Sequence, residues 1–210
     1  MAKKIFIKVL LITFWCGVGF TQSSPAELYY KNGRVQKGFA KILIEVESHN
    51  KKFHETGYVQ FKETKKSKSI LIRLKRLDKV RILRRGKVIT YEILKAYGEG
   101  DSFKAMKLLE KGKVNLYEYE TKGVPGLTGN SNSVLPAPTG LASSICVLRD
   151  GEEMATRLTR NSAFSNNFRE AAAYYFRDCS ELVDRFKKGK YGKRNILEAV
   201  KFYNDSCQGQ

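Results

Sequence analysis

Histidine, tryptophan and proline are scarce in this 210-residue chain, at two, one and four residues. His49 and His54 are too few for a three-histidine metal centre, and no cysteine lies beside them. They flank Asn50-Lys-Lys-Phe53 and read as ordinary residues of a polar connection between strands. Nucleophile signatures are also missing, since Ser143, Ser144 and Ser165 lack a Gly-x-Ser-x-Gly setting. The glycine-rich stretch near residue 126 has no Gly-Lys-Ser/Thr and no helix directly after it, which excludes a phosphate loop. No cofactor and no metal are therefore expected. Acidic residues are few, 21 against 39 basic ones, for a formal net charge of +18.

One long apolar run is present. Met1-Ala-Lys-Lys4 precedes Ile5 to Phe20, interrupted only by Lys8, with small residues at Gly19 and Thr21. A basic start, an apolar middle and a small-residue end predict a secretory signal peptide over residues 1–21. The run is shorter than the roughly 20 apolar residues of a membrane span. Cys16 follows the bulky Phe14-Trp15, which does not suit a lipoprotein signal. The expectation is an exported product without a transmembrane span, in the periplasm, associated with the outer membrane, or extracellular. Removing Lys3, Lys4 and Lys8 with the leader lowers the charge from +18 to +15. Cys146, Cys179 and Cys207 remain, and an oxidising compartment permits a disulfide.

Residues 22–120 read as a β-rich domain. Asn32-Gly33 is a strong hairpin signal, because both residues accept positive φ. Period-two patterning places Ala40, Ile42, Ile44 and Val46 on one face, and recurs at Val59 and Phe61, at Ile70, Ile72 and Leu74, and at Ile89, Tyr91 and Ile93. Val114 and Leu116 opposite Tyr117 and Tyr119 predict a strand covered on both faces. Phe103 to Glu110, with Met106, Leu108 and Leu109, suits a short helix or a hairpin arm, and the turn read at Lys111-Gly112-Lys113 favours the arm. A small antiparallel barrel or sandwich accommodates so many short strands. Residues 121–140, with Pro125, Pro136 and Pro138, read as a flexible Gly/Pro/Ser/Asn loop or linker. Residues 141–160 predict a further β-hairpin around Asp150-Gly151, with Cys146 in its first arm.

Residues 161–210 predict an antiparallel helical hairpin, which makes the whole an α+β chain. Asn167-x-x-Glu170 and Asn195-x-x-Glu198 have the spacing of N-terminal capping boxes. Phe168, Ala172, Tyr175, Cys179, Leu182 and Phe186 form one apolar seam; Ile196, Val200, Tyr203 and Cys207 form the other. A turn at Gly189-Lys-Tyr-Gly192 brings the seams together. This placement predicts a Cys179 to Cys207 disulfide, although the cysteines are offset by about 7 Å along the axes. Two buried free thiols are the alternative. Asp178, Glu181 and Asp184 read as a solvated face.

Phe176-x-Asp-Cys179-x-x-Leu182 and Val200-x-x-Tyr-Asn204-x-x-Cys207, with Asn32-Gly33 and Lys37-Gly38 early in the chain, resemble a group of exported bacterial proteins of unassigned function. The resemblance implies a signal peptide, a β-rich body and a C-terminal helical pair, and it supplies no catalytic residues.

Basic charge concentrates between Lys62 and Lys87, where twelve Lys and Arg face only Glu63 and Asp78. Clustered charge of this kind steers and holds polyanions. The candidate anion-binding residues are Arg73, Lys75, Arg76, Arg81, Arg84, Arg85 and Lys87. Outward charge alternating with inward apolar residues is also what any half-buried strand shows. The expected partner is anionic, or a protein of the cell envelope; the lack of an RNA- or DNA-binding motif argues against nucleic acid. The function expected is thus a non-catalytic envelope or secreted protein, with a hydrolytic enzyme centred on His49 and His54 as the alternative.

Overall fold

The structure is a computed structural model that describes residues 23–43, 57–97, 102–122, 141–158 and 168–207. The expected signal peptide, Ile44, Val46, His49, His54, Ser165, Asn167 and most of 121–140 lie outside the described residues. The chain runs β1 (Ser24–Tyr30), β2 (Val35–Leu43), β3 (Tyr58–Lys62), β4 (Ile70–Arg73), a 3-10 turn (Leu74–Arg76), β5 (Leu77–Arg84), β6 (Lys87–Ala96) and β7 (Phe103–Glu110). It continues through β8 (Val114–Lys122), β9 (Leu141–Arg149), β10 (Met154–Arg157), α1 (Phe168–Tyr175), α2 (Ser180–Lys187), a second 3-10 turn (Lys193–Asn195) and α3 (Ile196–Ser206). The fold is α+β: a ten-stranded, mostly antiparallel sheet followed by helices.

Strand order is β10-β9-β8-β7-β6-β5-β1-β2-β3-β4. Local chemistry sets the hairpins. Gly33 takes φ 81°, Asn32 Oδ1 accepts the Arg34 N–H at 3.2 Å, and β1 and β2 then pair from Tyr29↔Val35 to Ser24↔Ala40. Gly38 is needed for a different reason. A Cβ there would stand 2.3 Å from the Lys62 carbonyl oxygen and 2.5 Å from the Phe61 ring.

The sheet uses opposite faces in its two halves. In β1 to β6 the inward residues Leu28, Ala40, Phe61, Ile72, Val80 and Ile93 form one core. The 3-10 turn lets β4 run into β5, which returns to pair with β1. From β6 onward, Ala96, Met106, Tyr117, Tyr119, Cys146 and Ala155 form a second core on the opposite face. β10 closes it by pairing antiparallel with β9 at Thr156↔Val147 and parallel with β6 at Met154↔Lys95. This contact makes the mostly antiparallel sheet mixed, because the short β10 bridges two strands that the meander leaves apart. β8 and β9 pair continuously from Val114↔Arg149 to Lys122↔Leu141. The 121–140 stretch therefore joins neighbouring strands, and the late hairpin belongs to the same sheet.

The helices cover the outer face of β8 and β9. Val114, Leu116, Ile145 and Val147 meet Phe176, Leu182, Phe186, Val200 and Tyr203. Burying each large apolar side chain here contributes about 1.5 to 3 kcal/mol. The helical segment differs from the two-helix expectation, because the first helix breaks between Tyr175 and Ser180. Successive helical residues point about 100° apart at 3.6 residues per turn. The break lets Asp178 turn to the sheet while Cys179 turns to α3. Cys179 starts α2 and Cys207 ends α3, both with non-helical backbone, so neither lies within a helix. Their disulfide, with Cα atoms 5.7 Å apart, matches the expected pairing, and Cys146 is a buried free thiol.

Two end-signals resolve differently. Gly189, at φ 74°, ends α2: its N–H reaches the Phe186 carbonyl and the Lys190 N–H reaches the Arg185 carbonyl. Asn195 does not cap α3 through its side chain. Its amide instead accepts the Gly192 N–H at 2.7 Å and donates to the Lys190 carbonyl at 3.0 Å, tying the turn together. Replacing Cys179 and Cys207 by serine opens a loop with a sequence separation of 28. The expected loss is about 3 to 4 kcal/mol in urea unfolding, and a midpoint equal to that of the parent would contradict the contribution assigned to the bridge.

Candidate anion-binding surface

Leu74 anchors the basic end of the sheet. It is buried, and its N–H donates to the Gly57 carbonyl at 3.0 Å. Gly57 leaves the room, since a Cβ there would meet Leu74 Cδ1 at 2.9 Å. With Leu74 turned inward, Lys75 and Arg76 are exposed, and the Lys31 N–H holds the Arg76 carbonyl at 3.1 Å. Arg73 and Leu71 share the outward face of β4, opposite the buried Ile72. Together Arg73, Lys75 and Arg76 surround a concavity of about 510 Å³ whose other walls are Tyr58 and Leu71. No acidic side chain lines it. Among the described residues, no ion pair engages these three cations.

The seven candidate residues do not form one site. β5 separates Arg76 from Arg84 by eight residues, about 25 Å of extended chain. Arg84, Arg85 and Lys87 are exposed at the β5–β6 turn. Arg81, between the two groups, is engaged. It donates to Glu27 Oε2 at 3.3 Å and to the Tyr29 hydroxyl at 3.4 Å, while Tyr29 also donates to Glu27 at 2.7 Å and Lys37 pairs with Glu27 at 3.4 Å. The Tyr29 bond, followed by Lys37 and Arg81, holds the Glu27 carboxyl below its usual range. Arg81 belongs to this outer-face cluster and leaves two separate groups of three cations.

A second basic concavity, which sequence reasoning missed, lies between α1 and α2. Arg169, Arg177 and Lys187 rim about 560 Å³ floored by Ala173, Val183 and Phe186, with Glu170 and Tyr174 alongside. Tyr174, beside this concavity, is 72% exposed, whereas Tyr117, Tyr119 and Tyr191 are buried.

The helical motif residues are occupied by docking. Asp178, expected on a solvated face, accepts two bonds from Arg149 at 2.7 and 2.6 Å and one from the Tyr203 hydroxyl at 2.5 Å. Arg149 also donates to the Tyr175 carbonyl at 2.7 Å and lies over the Tyr175 and Tyr203 rings. The Arg149 guanidinium, helped by Tyr203, holds the Asp178 carboxyl down to about 2. Burial, with the bond to Asp178, pushes the Tyr203 hydroxyl up to about 12. Asn204 pairs with the start of β8: its Oδ1 accepts the Val114 N–H at 2.9 Å and its Nδ2 donates to the Val114 carbonyl at 3.0 Å. A Cβ at Gly112 would stand 2.3 Å from Asn204 Nδ2, so glycine gives the amide its place. No sequence spacing signals a partnership between Arg149, beside a turn, and Asp178, between helices.

Among the described residues no group of three or more His, Cys, Asp or Glu could hold a metal ion. Ser144 is buried, and Ser143 donates to Glu118 at 2.6 Å. No described helix is long and apolar enough to cross a membrane. No protein-family model, curated protein or solved structure matches the chain. The surface is accordingly read from its own chemistry.

Asp178 binds its proton more weakly folded than unfolded. Its contribution is therefore complete above about pH 4 and lost as pH falls toward about 2. Partial exposure of the pair limits it to about 1 kcal/mol. Asp178→Asn is expected to lower stability by about that amount at pH 7. Denaturant titrations should show the gap from the parent narrowing between about pH 4 and 2; a gap that widens on acidification would contradict this assignment.

Proposed function

We propose that the protein is an exported, non-catalytic envelope or secreted module that holds an anionic partner at the basic end of its sheet. The observation that carries this reading is the groove at Arg73, Lys75 and Arg76, where three cations converge without an acid. Guanidinium forks match carboxylate and phosphate oxygens in pairs, and the ammonium adds an adaptable third donor. Tyr58 and Leu71 add an aromatic and an apolar wall, which suits a phosphate or carboxylate carried on a larger body such as an acidic glycan or a phosphorylated glycolipid. The lining holds no carboxylate, histidine, cysteine or serine to act as general base or nucleophile. The basic, apolar and small-residue layout of residues 1–21 supports export.

Retention on dextran sulfate resin tests the groove. The Arg73→Gln/Lys75→Gln/Arg76→Gln variant should elute at clearly lower salt than the parent. A control of equal charge loss, Lys188→Gln/Lys190→Gln/Arg194→Gln, should elute close to it. Equal displacement of the two variants would reduce the effect to net charge and remove the groove from the proposal.

A further inference from the structure

The sheet is closed at one end and open at the other. β10 pairs with both β9 and β6, whereas β4, at the far end of the strand order, pairs with β3 alone among the described residues. The register shows which backbone groups β4 leaves over. The Leu74 N–H donates to the Gly57 carbonyl at 3.0 Å, one step beyond the Tyr58↔Arg73 pair. Hydrogen-bonded and non-bonded pairs alternate along an antiparallel ladder. Ile72 therefore bonds with Val59, and Ile70 with Phe61, while Leu71 and Arg73 turn their N–H and C=O groups away from β3, toward the open side. β4 contains no proline, its register runs without a bulge, and Ile70 and Leu71 are 52% and 63% exposed. An edge of this kind is a template for one more strand.

Charge selects the occupant. Leu71 and Arg73 share a face with Tyr58, the cross-strand partner of Arg73, and the groove of Lys75 and Arg76 lies on that face. A strand laid beside β4 sets alternate side chains on the same face, directly opposite Leu71 and Arg73. A second copy pairing through its own β4 would crowd the cations of both copies onto one face, and opposed like charges destabilise a sheet. An acidic strand pairs with them instead. Only a peptide satisfies both the cations and the outward backbone groups of Leu71 and Arg73. We infer that the β4 edge takes up an extended acidic peptide, antiparallel as β3 and β4 themselves pair. One acid lies opposite Arg73, a second lies two residues toward the peptide's N-terminus within reach of Lys75 and Arg76, and an apolar residue two positions toward its C-terminus meets Leu71. The inference rests on the groove reading proposed above and narrows the anionic partner to a protein segment of the pattern acid-x-acid-x-apolar.

The exported protein is titrated, by fluorescence polarisation, with a labelled synthetic peptide that carries Asp-Thr-Glu-Thr-Val between flanking threonines. Two peptides of the same charge serve as controls: the reversed order, and the parent order with N-methyl groups on the Glu and Val amides that face β4. Both controls, and the groove variant with the parent peptide, should bind about tenfold more weakly or worse, since each loses bonds to Leu71 and Arg73 or the charges beside them. Leu71→Pro removes an outward N–H and leaves the bonds to β3 in place, so it should lose the peptide and keep its dextran sulfate retention. The peptide comparisons use the unaltered protein and stand even where Leu71→Pro fails to fold. An N-methylated peptide that binds as tightly as its parent reduces the contact to charge and overturns strand addition, and a reversed peptide that does so overturns the register. Absence of peptide binding, with dextran sulfate retention still dependent on Arg73, Lys75 and Arg76, overturns the acidic strand alone; loss of that dependence overturns the groove reading as well.

Discussion

The contact between Arg149 and Asp178 joins the parts of this molecule. Arg149 ends β9, and Asp178 sits where the first predicted helix breaks. The same carboxylate takes the Tyr203 hydroxyl, and its neighbour Cys179 is bonded to Cys207. Sheet, α1, α2 and α3 are thus tied within a few residues of one another. The buried seam of Phe176, Leu182, Phe186 and Val200 supplies most of the stabilisation, while the polar contacts fix where the helices sit.

This arrangement accounts for the motif Phe176-x-Asp-Cys179-x-x-Leu182 with Val200-x-x-Tyr-Asn204-x-x-Cys207. Phe176 and Leu182 pack, Asp178 and Tyr203 hold Arg149, Asn204 pairs with Val114, and the cysteines form the bridge. Each side chain is engaged by the fold. Cations that are exposed without acids beside them lie elsewhere. The groove beside the 3-10 turn and the tip of β5–β6 meet that condition at opposite ends of one strand.

Local rules made much of the fold legible. Asn32-Gly33, Asp150-Gly151 and the alternation around Val59 and Ile72 marked turns and strands, because dihedral preference and period two act over a few residues. The two-faced covering of β8 was legible from Val114 and Leu116 opposite Tyr117 and Tyr119. Contacts with no local signature were not. The parallel closure of β10 on β6, the helix break and the Arg149–Asp178 bond each depend on distant elements arriving together. The candidate site was legible as composition only: a run of cations marks where charge is plentiful, and strand geometry then divides it. Arg81 could be removed from the set only once Glu27 and Tyr29 were seen across the strands.

We propose a division of labour, with helices that clasp and basic strands that bind. Amide hydrogen exchange, measured on the exported protein with and without dextran sulfate, tests it residue by residue. Added protection is expected around residues 70–76, with residues 168–207 exchanging as before. Protection centred on the helices, with the basic strands unaffected, would contradict it and move the working surface to the concavity of Arg169, Arg177 and Lys187.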